Sequence, residues 1–113
     1  MTSKKFDRYQ LIHMCATVSS GLLGKRAEIE VVSPTDGIVV EARWLPIIGI
    51  VYDTANDALK IMLDGVDHFV FQPREMYLDF SAGGVQSLGI LDQDNAWQIV
   101  LLRDPLMLPG PSA

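Results

Sequence analysis

Residues 58–71 read ALKIML, DG, VDHFVF: two runs of alternating apolar and polar positions on either side of a strong turn signal. Asp64-Gly65 between such runs predicts a two-residue hairpin with a type I′ turn. The register then follows by counting outward, so that Leu63 faces Val66, Ile61 faces His68 and Leu59 faces Val70. Cross-strand partners share a face. His68 is therefore expected on the apolar side, among Leu59, Ile61, Leu63, Val66 and Val70. Ala58, Lys60, Met62, Asp67, Phe69 and Phe71 fall on a mixed second face.

Similar short runs recur along the chain. In RAEIEVV, Ala27, Ile29 and Val31 alternate with Glu28 and Glu30, the pattern of a half-buried strand. SPTDG separates it from IVVEARWL, and Pro46 marks a bend or strand edge before IIGIVYD. TAND, DG, QP, SAGG and DQDN punctuate the remainder, leaving REMYLDF, VQSLGIL and AWQIVLLR as further strands. Turns this closely spaced leave no room for crossover helices and predict an antiparallel meander.

Only the start differs. Leu11, Cys15, Val18 and Leu22 form one stripe at helical spacing, flanked by Ile12 and Met14, with Ser3 as a candidate cap and Gly21 or Gly24 as a stop. The expected class is α+β: one N-terminal helix packed on a strongly bent, mainly antiparallel meander sheet, or a partly open barrel, of about 6–8 short strands. Residues 1–103 form one domain in this reading, and residues 104–113 a Pro-rich apolar tail.

Composition narrows the function. The 113 residues carry a net charge of −5, with Lys4, Lys5 and Arg8 as the densest basic spot, so a nucleic-acid partner is not expected. No apolar run approaches the ~20 residues of a membrane span. The N-terminal stretch imitates a secretory signal only faintly, because Asp7, Arg8, Gln10 and His13 interrupt its apolar part. A single cysteine, Cys15, excludes an intramolecular disulfide and suits a reducing cytoplasm. On the helix stripe it reads as a small buried hydrophobe.

Candidate chemistry is sparse. His68 lacks companion ligands, since His13 is the only other histidine and no H-x-H or H-x3-H pair occurs; no metal and no cofactor are expected. As a general base it would need a nucleophile and an orienting group, and adjacent Asp67 points to the opposite strand face. The carboxylate pairs Asp64/Asp67, Glu75/Asp79 and Asp92/Asp94 read as solvated turn and strand residues. Gly83-Gly84 is explained by a hairpin turn, without the surrounding pattern of a phosphate loop. Arg43 and Trp44 near a strand end, the aromatic pair Phe69 and Phe71, and the tail residues Leu106, Met107 and Leu108 are candidate interface positions.

The order of a helix, EIEVV, Leu45-Pro46, Gly49-Ile50, a turn with Asp53, ALKIML, His68 with Pro73 at His-x4-Pro spacing, and a closing strand over residues 99–103 resembles a small bacterial family. That family is known only as domains of unknown function, numbered fifty-three thirty-five. The resemblance spans roughly residues 6 to 103. It departs in the tail and at Phe69 and Phe71, where the family pattern is more polar. It implies a compact domain and transfers no catalytic residue.

The apolar surplus, a mean hydropathy of +0.21 with strands apolar on both faces, points to an interaction surface. The expected function is a non-enzymatic protein-binding or self-assembly module, its partner a second copy in a C2 dimer or another protein. The alternative is a small-ligand sensor in which His68, Pro73 and Tyr77 line a pocket. An enzyme using His68 ranks below both.

Overall fold

The structure, a computed structural model, describes residues 2–6, 8–22, 24–81 and 84–103. The elements are β1 (Thr2–Phe6), α1 (Arg8–Gly21), β2 (Arg26–Ser33), β3 (Gly37–Asp53), β4 (Ala58–Leu63), β5 (Val66–Phe71), β6 (Pro73–Ser81), β7 (Gly84–Asp92) and β8 (Trp97–Arg103). All eight strands join one antiparallel sheet in the order β1-β6-β7-β8-β2-β3-β4-β5.

This corrects the α+β expectation. The protein is mainly antiparallel β, with one 14-residue helix as a minor element. Its sheet is open, because β1 and β5 are the two ends of the strand order and do not pair with each other. Nor is it a simple meander: β2–β5 and β6–β8 are two runs of neighbouring strands, joined where β2 pairs with β8. The physical reason is that local alternation reports faces and turns, whereas the β2–β8 pairing joins segments about seventy residues apart in sequence. Ser3 does not cap the helix, since it lies in β1 opposite Asp79.

The runs on either side of Pro46 form a single 17-residue strand, β3. Its first half pairs with β2 and its second with β4, with register shifts opposite Ala27–Ile29 and at Ile48. Such bulges bend a strand and raise its twist. Trp44 sits in the first of them with a φ of 52°. A left-handed backbone at so bulky a residue costs about 1–3 kcal/mol, which the surrounding pairing must offset.

Bending at β3 brings the inner faces of the two halves together. Leu59, Ile61, Leu63 and Val70 from β4 and β5 share one core cluster with Met76, Leu78, Leu88, Ile90 and Val100 from β6–β8. Cys15, Val18 and Leu22 belong to the same cluster. The helix is also tied to a strand edge. β2 last pairs with β3 at Arg26↔Pro46, so beyond Pro46 this side of β3 has no strand beside it among the described residues. Ile50 turns its backbone toward that bare side. The Ser19 hydroxyl accepts a hydrogen bond from the Ile50 N–H at 2.9 Å and donates one to the Ile50 C=O at 2.9 Å, taking the place of a neighbouring strand.

Burial pushes the Cys15 thiol pKa up to about 11. Almost no thiolate then exists near neutral pH, and the thiolate is the form that attacks disulfide reagents. A chromogenic disulfide reagent is expected to leave Cys15 untouched in the native protein and to titrate one thiol per chain in denaturant. Rapid labelling of the folded protein would contradict this placement.

Candidate interaction surface

The β4–β5 hairpin has the register that counting from Asp64-Gly65 predicts, with Leu63↔Val66, Ile61↔His68 and Leu59↔Val70 opposed. The turn itself differs. Gly65 takes a φ of 82° while Asp64 is not among the positive-φ residues, the pattern of a type II turn and not of type I′. Only glycine meets this requirement without strain. Leu59, Ile61, Leu63 and Val70 are buried, but Val66 at the hairpin tip is exposed.

His68 is turned inward, and its Nε2 lies 2.8 Å from Oε1 of Gln98 on β8. The Gln98 amide nitrogen donates in turn to Asp92 Oδ2 at 3.1 Å. The amide oxygen is therefore the acceptor, which requires the ring proton on Nε2. Asp92 Oδ1 accepts from the backbone N–H groups of Asp94 and Ala96, both at 2.9 Å, so this carboxylate is committed to its own turn. Pro73 is buried and lies opposite Asp92 at the start of β6. One chain of polar contacts thus runs from His68 on β5 through Gln98 to Asp92 in the β7–β8 turn, and Pro73 lies beside its far end as the strand partner of Asp92. A satisfied, half-buried network of this kind helps fix how the two halves sit together.

Tyr77 is not part of it. It packs against Trp97 at 5.5 Å between ring centroids and donates to Glu75 Oε2 at 3.0 Å. Trp97 precedes Gln98 on β8, and adjacent strand residues point to opposite faces, so Tyr77 lies on the outer side. Gln98 is the residue that sequence reasoning missed. Its signal was present: it alternates with Val100 and Leu102, a single polar side chain on the buried face of β8. Trp97, Ile99 and Leu101, on the opposite face of β8, are half-buried.

The outer face of β3–β5 has a different character. Val51, Lys60 and Phe69 lie side by side across three strands, and Asp53, Ala58 and Phe71 form the next row. Val51, Phe69 and Phe71 are 46%, 45% and 64% exposed, a large apolar area for one small face. Phe69 and Phe71 stack on each other with centroids 5.8 Å apart and planes 14° from parallel. Val51, Asp53, Ala58, Lys60 and Phe69 line a shallow cleft of about 350 Å³. Asp53 offers that cleft little free acceptor capacity. Its carboxyl is held below the usual carboxylate range, first by the Asn56 side chain and then by the Asn56 and Ala55 N–H groups and the Lys60 charge. Asn56 Nδ2 donates to it at 2.6 Å and the Ala55 N–H at 3.0 Å.

The other interface candidates lie elsewhere. Arg43 forms an ion pair with Glu28 at 3.4 Å, and the Arg103 guanidinium covers the Trp44 ring at 3.3 Å from its centroid. Trp44 precedes Val51 on β3 by seven residues, roughly 20 Å of extended chain, so these two do not join the Phe69–Phe71 patch. Leu106, Met107 and Leu108 lie outside the described residues. Among the described residues no group of three or more His, Cys, Asp or Glu is placed to hold a metal, and no helix is long and apolar enough to cross a membrane.

The family model described as a family of unknown function, DUF5335, matches residues 2–111. The chain belongs to this family. The DUF5335 match runs beyond the resemblance read over residues 6 to 103 and takes in most of the Pro-rich tail. An uncharacterised protein of Aquifex aeolicus (strain VF5) is similar to this DUF5335 chain at 24% identity over 110 residues, covering 96% of this chain and 99% of the relative. No solved structure matches it.

Proposed function

We propose that this DUF5335 chain is a non-enzymatic protein-binding module whose partner is a second copy of itself, working as a cytoplasmic homodimer. The observation that carries the reading is the outer face of β3–β5. Three exposed apolar side chains, two of them stacked aromatics, sit at the open end of the sheet. Aromatic groups displayed in this way are typical anchors of protein interfaces. The sensor reading built on His68 gains no comparable support, because its ring faces Gln98 in the interior while the cleft lies on the other face.

Native mass spectrometry over a dilution series tests the proposal. The expected result is a dimer at micromolar concentration that dissociates on dilution, with no adduct mass. A monomer at every concentration would overturn it.

A further inference from the structure

The two ends of the sheet are unlike. β1, at one end, is a five-residue strand carrying Lys4 and Lys5. Lysines and short length are common devices against edge-to-edge pairing. β5, at the other end, contains no lysine and no proline, and it pairs with β4 without a bulge. This edge therefore lacks lysine, proline and bulge, three of the devices that discourage pairing.

Hydrogen-bond parity shows which of its backbone groups point away from β4. A two-residue hairpin closes on a hydrogen-bonded pair, here Leu63 and Val66, and such pairs alternate along the strands. Val66, His68 and Val70 therefore bond to β4, while Asp67, Phe69 and Phe71 turn their N–H and C=O groups outward. Ser19 supports the same parity independently. Ile50 uses its backbone groups on Ser19 and not on β4, which leaves Val51 and Lys60 as the hydrogen-bonded pair and again directs Phe69 outward.

We infer that the second copy docks edge to edge on β5, antiparallel about a two-fold axis at Phe69; this rests on the self-assembly reading above. Phe69 then opposes the partner subunit's Phe69, and Asp67 opposes the partner subunit's Phe71. All three outward residues find partners within regular strand. A register centred on Asp67 would set two carboxylates against each other, and one centred on Phe71 would oppose Phe69 to Pro73, which has no N–H. Charge also fits. Asp67 falls two strands across and two residues along from the partner subunit's Lys60, about 12 Å between Cβ atoms, so opposite charges lie near each other across the seam without a direct ion pair. The stacked phenylalanines of both copies become one aromatic row on a continuous sheet.

Asp67→Pro removes an outward N–H and leaves the hydrogen bonds to β4 intact. It is expected to raise the dimer Kd at least tenfold, with an unchanged circular dichroism spectrum. Phe69→Cys is expected to form an intersubunit disulfide on mild oxidation much faster than Phe71→Cys, whose copies lie farther apart. This pair decides the matter if Asp67→Pro fails to fold. A dimer that survives Asp67→Pro, or that cross-links equally at both cysteines, overturns the β5 edge and leaves self-assembly standing. A monomeric parent protein overturns both, including the case where an extended peptide of another protein occupies β5.

Discussion

Leu59→Ala is expected to lower stability by about 3–4 kcal/mol, a large share of the roughly 5–15 kcal/mol that holds a domain of this size together. Leu59 is fully buried in the middle strand of the β3–β4–β5 unit, between Tyr52 on one side and Val70 on the other. Its neighbours are fixed by strand pairing on both flanks, so the surrounding structure has little freedom to close over the cavity. The loss should appear in urea as a lower midpoint with an unchanged m-value, since the surface exposed on unfolding is nearly the same. Val66→Ala provides the contrast. It lies on the same strand face but is exposed at the hairpin tip, and its cost should stay within about 0.5 kcal/mol. A Leu59→Ala cost below about 1 kcal/mol would mean that the two halves do not meet as described.

Ser19→Ala is expected to cost about 2–4 kcal/mol, more than a single side-chain hydrogen bond, because it leaves two backbone groups without partners. The hydroxyl serves both the N–H and the C=O of Ile50, and Ile50 itself is 2% exposed. Water has poor access to replace it. Amide hydrogen exchange gives the specific readout, with the Ile50 amide losing protection in Ser19→Ala and keeping it in Ser19→Thr, which retains the hydroxyl. A merely structural loss of helix would move many amides together. An Ile50 amide equally protected in both variants would show that another group holds it.

The sequence was most legible where the determinants are local. Alternation and Asp64-Gly65 predicted the β4–β5 register residue by residue, because side-chain period and loop length together leave one pairing that buries Leu59, Ile61 and Leu63. Legibility failed where pairing is remote. The strand TSKKF has almost no apolar content, and it is a strand because β6 offers it an edge, from Thr2↔Phe80 to Phe6↔Met76. Pro46 suggested two strands where one bent strand runs through, since its ring is tolerated beside a bulge at the point where β2 stops. The candidate surface was partly visible. Counting puts Phe69 and Phe71 on the mixed second face, whereas the position of β5 at the end of the sheet depends on the whole strand order. Gln98 became a partner of His68 only when the halves closed across the core.

β3 is shared property, half of its ladder belonging to β2 and half to β4. No cut through the chain separates two self-sufficient pieces, because either fragment would carry away a strand that the other needs. Loss of order on one side must propagate to the other, which gives a small open sheet a cooperative, all-or-none melting transition. Assembly should be slow for the same reason. The β2–β8 ladder, in which Ile29 opposes Val100, must wait for nearly the whole chain to be made and gathered, so the final docking step carries a large loop-closure entropy.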